Sequence, residues 1–379
     1  MTGTRSISAG RGTGLFLDSR VSAAVLLSLA TPGLAGEVTV EPTFTTQVDA
    51  VTIDGPGAQS VLDFRRIRPG LRGKIGPSLT WAAELEVVGG PVRFTNFFVA
   101  LTPKGSPVSV VVGQIFPPTS LETLSTANGS SFLERAQLHD VFAFGRRFGA
   151  VVALQKPDIL LTVSAFGNDM QGSLPPGSRF LALRGVWAPS VGQGRLHIGA
   201  NVKWRDAGDR GTIRYGARQG SALLDTLLLD TGRVQASGDT NIGAEIAGVF
   251  GRLSFASEIQ HASLHDPAAN GLADVSAGYA EVGWYLTPDD SKVYELGRFG
   301  RTRPAHPVGE GGIGAWQASL RGDWAKAGDR QQILSASLHW TATKHVRMVA
   351  QLSQVRHDPA GLAPASRSTL IGLRTQYIY

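Results

Sequence analysis

The chain has 379 residues, of which 42 % are hydrophobic, with 47 glycines, no cysteine and a formal net charge of +6. The lack of cysteine excludes a disulfide scaffold, thiol catalysis and thiolate metal sites. No run after residue 36 approaches the roughly 20 apolar residues of a membrane helix, and the positive balance favours anionic partners while leaving the fold open.

The amino end reads as an export signal. Arg5, Arg11 and Arg20 precede the apolar segment Val21 to Ala30, and Pro32 breaks it. Gly33-Leu34-Ala35 then puts small residues where a signal peptidase cuts. A secretory leader over 1–35 and a single β-barrel domain over 36–379 are expected, because no lasting composition shift marks a linker.

The first telling stretch of the mature chain is Phe64 to Ile75. Read as a strand, it places Arg66, Arg68, Arg72 and Lys74 on one face and Ile67, Pro69, Leu71, Gly73 and Ile75 on the other, with Arg65 at the end. Read as a helix, it has no apolar stripe. Four cations in a row are costly in a sealed core. They make sense along water through which anions pass.

Period-two alternation then recurs. Leu196, Ile198, Ala200, Val202 and Trp204 oppose Arg195, His197, Asn201, Lys203 and Arg205. The same pattern holds in 252–260, 280–286, 315–324 and 334–340. These segments run about 9 to 13 residues, the length of a tilted strand crossing a bilayer. Trp81, Trp187, Trp204, Trp284, Trp324 and Trp340 sit near segment ends, as in aromatic girdles. Gly76-Pro77, Gly192-Gln193-Gly194, Phe250-Gly251 and Ala327-Gly328-Asp329 read as short turns, and 116–138, 206–240, 287–312 and 357–367 as long loops. Short turns on one side and long loops on the other are expected. The end of the chain reads as a closing strand, with Thr369, Ile371, Leu373, Thr375, Tyr377 and Tyr379 on one face. The fold class is therefore all-β, a transmembrane antiparallel barrel; a soluble β-sandwich, with its polar faces outside, is the alternative.

With polar faces inward, the lumen gathers Arg66, Arg68, Arg72, Lys74, Arg195, Lys203, Arg205, Arg252, Arg321, Arg347 and Arg374. Against them stand Glu84, Glu86, Glu258, Glu281 and Asp323, so cations lead by about two to one on this face assignment. Arginine and lysine rings are how a pore favours anions, and guanidinium grips oxyanions with paired hydrogen bonds.

Ordered motifs carry a family resemblance. They begin with Phe64-Arg65-Arg66-Ile67-Arg68, Gly113-Gln114-Ile115-Phe116-Pro117-Pro118, Phe132-Leu133-Glu134-Arg135-Ala136 and Gly145-Arg146-Arg147-Phe148-Gly149. Asp230-Thr231-Gly232, Gly297-Arg298-Phe299-Gly300-Arg301 and Gly372-Leu373-Arg374 follow. Together they resemble the phosphate-selective porin O and P family of Gram-negative outer membranes. The resemblance implies a homotrimeric barrel of about sixteen strands in lipid and lipopolysaccharide, with one loop folded into the lumen. It implies passage of small anions such as phosphate, with Arg66 and Arg68 in an arginine ladder. It makes 113–138 the inward loop, braced by Glu122, Glu134 and Arg135, with Arg146 and Arg147 on the next strand. It implies no cofactor and no nucleic-acid partner. Relatives commonly carry lysine where this chain has Phe116, which puts phosphate preference in question.

Other chemistries are weaker. Asp230-Thr231-Gly232 resembles an aspartic protease signature, but the chain has no second copy to share the proton. His139-Asp140, His265-Asp266 and His357-Asp358 are adjacent pairs, which on a strand point to opposite faces. Asp289-Asp290 with Glu295 reads as solvated loop acids. No catalytic or metal-binding residue is assigned. A barrel hydrolase with catalytic external loops, a porin for uncharged solutes and a non-conducting adhesive barrel stay open.

Overall fold

The computed structural model describes residues 37–379 apart from 144, 225 and 270; the expected leader over 1–35 lies outside the described residues. The strands run in chain order as β1 (Val38–Ile53), β2 (Gln59–Ile75), β3 (Leu79–Glu86), β4 (Arg93–Leu101) and β5 (Val108–Ile115). Then come β6 (Arg147–Lys156), β7 (Ile159–Phe166), β8 (Arg179–Trp187), β9 (Gly194–Asp206), β10 (Gly238–Phe250) and β11 (Leu253–His265). The last are β12 (Asp274–Tyr285), β13 (Ala315–Ala327), β14 (Asp329–Thr341), β15 (Val346–Asp358) and β16 (Ser366–Ile378). Neighbours pair antiparallel, and β1 pairs with β16 as well as β2, with Asp49 opposite Arg374 and Ala50 opposite Leu373. The sixteen strands thus close into a barrel with no free edge.

The burial pattern is that of a membrane protein. Along β9, His197, Asn201, Lys203 and Arg205 are buried while Ile198, Val202 and Trp204 are exposed. On β16, Ile371, Leu373 and Tyr377 stand outside and Arg374 and Gln376 inside. Apolar groups face outward because lipid, not water, is the outer solvent, and the closed ladder satisfies the backbone there.

One rim, the near rim, holds the start of β1 and the end of β16; the opposite one is the far rim. Loops 116–146 and 207–237 leave the far rim. The loop after β12, residues 286–314, leaves the near rim, beside the two-residue turns 157–158 and 251–252. The expectation that all long loops share one side is therefore wrong for 287–312. Strand parity decides the matter: an even-numbered strand ends where the chain began.

The lumen is not uniformly wet. Ala247, Ala256, Ala277 and Ala325 are buried at inward positions of β10 to β13. Against them pack Leu138, Val141 and Phe142 of the 116–146 loop and Tyr215 and Leu229 of the 207–237 loop. Small wall residues leave room for large loop residues, and the result is a dry core inside the barrel.

Candidate functional site

The 116–146 loop crosses the lumen and is fastened on the way. Its first helix, α1 (Leu121–Leu124), points two backbone N–H groups at wall carboxylates: Leu121 N donates to Glu245 at 2.6 Å and Glu122 N to Glu258 at 2.6 Å. Ser131 and Leu133 meet β14 and β15, where Ser337 Oγ donates to Ser131 O at 2.7 Å and Leu133 N to Gln351 at 2.8 Å. A second helix, α2 (Gln137–Phe142), is tied by Gln137 N to Asp323 at 3.1 Å. Glu134 closes the clasp on the other side, receiving Arg65 through Nε at 2.5 Å and Nη2 at 2.8 Å, with Arg374 at 3.2 Å. Burial alone would raise the Glu134 carboxyl; Arg65 and Arg374 overcome that and hold it well below the ordinary carboxylate range.

Between this loop and the β2–β5 wall lies a cavity of about 840 Å³. Arg66 and Arg68 of β2 line it with Arg135 and Arg146 of the loop. Arg68 Nε donates to Glu86 at 2.7 Å, whereas Arg66 reaches the same carboxylate only at 3.7 Å and its Nε and Nη1 have no hydrogen-bond partner among the described residues. Arg135 donates to two main-chain oxygens, of Glu122 at 3.0 Å and Ser125 at 2.8 Å. Arg146 donates to Asn96 Oδ1 at 3.2 Å. All three acceptors are neutral, so contact cancels neither charge. Burial, with Arg68 nearby, pushes the Arg146 guanidinium down from its ordinary value. Burial does the same to His139, which stays neutral beside Arg135 and Arg146.

Phe116 explains how those cations are held. The Arg146 guanidinium lies 4.1 Å from its ring centroid and that of Arg135 5.7 Å. Phe116 is thus an aromatic platform supporting two arginines.

The remaining sequence candidates fall into three groups. Arg72 and Lys74 lie toward the near rim on the inward register; Arg72 is solvent-exposed and pairs with Glu41 at 3.0 Å. Lys203, Arg205, Arg321, Arg347 and Arg374 do not line open water, as expected of them, but are buried beneath the loops. Lys203 bonds Gln260, Arg205 is paired with Asp239, and Arg321 pairs with Asp323 at 2.8 Å. Arg347 donates to the Ser130 carbonyl, and Arg374 pairs with Asp49 at 2.6 Å. Arg147 donates to Gly167 O and Ser178 Oγ of the 167–178 region rather than to the inward loop. At the near rim, Arg195 is taken up by Asp158 at 2.6 Å. Arg252 is a correction: it lies in the β10–β11 turn and stacks on Trp284, which faces outward, so it is not a lumen residue. The Glu122 carboxylate accepts Ala136 N within the loop at 2.8 Å and reaches Arg321 of the wall at 3.9 Å.

Arg65, Arg93 and Arg218, which period two does not assign to the lumen, also line the cavity, with His139 and the carboxylates Asp63, Glu86, Glu134, Asp140 and Asp169. Strict alternation sends Arg65 outward. The β1–β2 register shifts there, with Gln47 opposite Arg66 and Val48 opposite Phe64. Arg65 is the extra residue of a bulge, and so two consecutive arginines serve the inside.

From the near rim, the 286–314 loop rises to meet the first. Lys292 Nζ donates to Gly129 O at 2.9 Å and Ser131 Oγ at 3.1 Å, and Phe299 N to Ser125 Oγ at 3.0 Å. Burial lowers Lys292 to about 8. The Asp230-Thr231-Gly232 tripeptide lies in another loop, where Arg214 donates to Asp230 at 2.7 Å and holds its carboxyl below the ordinary range.

A closed barrel with a lipid-compatible exterior and loops folded into its lumen defines an outer-membrane porin-type barrel. The comparisons give the family: the profile of phosphate-selective porin O and P matches residues 43–379, and the chain belongs to that family. An uncharacterized protein of Caulobacter vibrioides is 33 % identical over 328 residues. The match takes in 79 % of this chain and 65 % of that protein, so the chain spans less than two thirds of its relative's length. Among solved structures, the outer membrane protein OmpT of Vibrio cholerae, in trimer form, superposes with a TM-score of 0.58 at 12 % identity, covering 90 % of this chain and 99 % of that one. An anion-selective porin from Comamonas acidovorans gives 0.54 at 12 % identity over 90 % and 100 %. At such identities the likeness is one of fold. The chain is thus a porin-family barrel of the outer membrane.

Proposed function

We propose that the channel passes small anions by passive diffusion along the β2–β5 side of the barrel. The observation that carries this is the cavity in which Arg66, Arg68, Arg135 and Arg146 meet, with Arg135 and Arg146 bonded to neutral oxygens only. Uncancelled guanidinium charge at a constriction attracts anions and repels cations. By the usual layout of such barrels, the far rim faces outside and the near rim the periplasm. An anion would enter over Arg66 and Arg68 and leave past Arg72 and Lys74. Phosphate lies within the class such a wall accepts, and Phe116 argues against a strong preference for it. The role is transport rather than catalysis. A homotrimer is supported by the trimer form of the Vibrio structure.

The test is the reversal potential of single channels in a planar bilayer under a KCl gradient. Chloride permeability well above that of potassium is expected; equal permeabilities would refute the proposal.

A further inference from the structure

The cavity has an apolar side as well as a charged one. Three far-rim loops each turn a half-buried aliphatic side chain into it: Val88 from 87–92, Leu174 from 167–178 and Leu223 from 207–237. They form a collar above the arginine floor. An inorganic anion gains nothing from such a collar, whereas apolar surface brought against it leaves water favourably.

We infer that the site, on the reading of the chain as an anion channel, selects organic anions: one carboxylate or similar oxyanion head on an aliphatic or aromatic body of about four to ten carbons, a size suited to a small-molecule pocket. The cavity, about 840 Å³, holds such a molecule whole. The head group meets Arg135, which lines the cavity half-buried and donates only to two main-chain oxygens. The remaining N–H groups of that guanidinium offer an oxyanion a charge-assisted contact. The body rests on Val88, Leu174 and Leu223. Arg146 is stacked on Phe116 and so presents its other planar face to an aromatic body. Phe116 also lines the cavity; it adds apolar surface and carries no charge for a compact, highly charged anion to use.

The test uses the full channel in planar bilayers, with acetate, hexanoate, benzoate and inorganic phosphate as blockers of the chloride current. Hexanoate and benzoate are expected to block at roughly tenfold lower concentration than acetate, given partial burial of the added carbons. Phosphate is expected to block no better than acetate. The double variant Leu174→Ser/Leu223→Ser should raise the hexanoate concentration required by roughly fivefold and leave acetate unchanged. Phe116→Lys should favour phosphate at the expense of hexanoate. Equal block by acetate and hexanoate in a wild-type channel that still prefers chloride overturns the inference and leaves the channel reading standing. Loss of chloride preference in the wild type overturns both.

Discussion

On the β2–β5 arc, strands of eight or nine residues follow the long β2, and the inward arginines Arg66 and Arg68 face a cavity. On the β9–β16 arc nearly every strand has thirteen residues, and the inward cations Lys203, Arg205, Arg321, Arg347 and Arg374 are buried against loop backbone, amides and carboxylates. The residue types are the same and the registers equivalent. What differs is the covering. Inward alanines on β10 to β13 admit Leu138, Val141 and Phe142, so the tall arc is dry. A cation under a dry loop must be paired or hydrogen-bonded to be tolerated and serves as an anchor. Beside the open space Arg68 is still paired with Glu86, whereas Arg135 and Arg146, bonded to neutral oxygens, keep their field for solutes.

That contrast can be broken by mutation. The largest effect is expected from Arg66→Ala/Arg68→Ala, which should reduce the chloride-over-potassium permeability ratio by roughly tenfold, read from reversal potentials. Arg347→Ala, on the dry arc, should leave the ratio nearly unchanged. If the two variants shift selectivity alike, the division into arcs fails.

Next comes Arg374→Ala, which leaves Asp49 buried without its partner. It should cost about 3–5 kcal/mol, visible as a lower denaturation midpoint, with channels that form retaining anion preference. On the low arc, Gly113 has φ +143° and a Cβ there would stand 2.1 Å from Phe97 O. Gly113→Ala should therefore cost about 2 kcal/mol by the same assay. Lys292→Met removes two of the contacts between the two inward loops and leaves that of Phe299 with Ser125; because burial already disfavours its charge, a loss of only about 1 kcal/mol is expected, with noisier open currents and unaltered selectivity.

The smallest effect is that of pH on the Glu134 clasp. Its carboxyl is depressed in the fold, so the stabilisation is complete above the ordinary value of 4.5 and is lost only as pH falls through the depressed one. Below the range in which Lys292 titrates, conductance should stay flat between about pH 7 and pH 5. Flickering that develops across that window would contradict the clasp.

Much of this is legible in the amino-acid sequence. Alternation such as that of β9 gives strands, and the terminal Tyr377 and Tyr379 give a lipid-facing end. The inward register of Arg66 and Arg68 is readable from period two alone. The course of the inward loop is not, because its fastenings join residues far apart, such as Arg65 to Glu134 and Gln137 to Asp323. The bulge at Arg65 breaks the alternation on which face assignment depends. A signal for the dry arc does exist: alanines occupy inward positions of four consecutive strands, where a wet wall would carry polar groups.

With no native cysteine, the chain allows one direct measurement of where solutes run. Single cysteines at positions 68, 72, 203 and 347 are treated with a negatively charged thiol reagent while current is recorded. Fast modification with loss of current at 68 and 72, and none at 203 and 347, is the expected result. Modification at 203 and 347 with 68 and 72 inert would contradict the account.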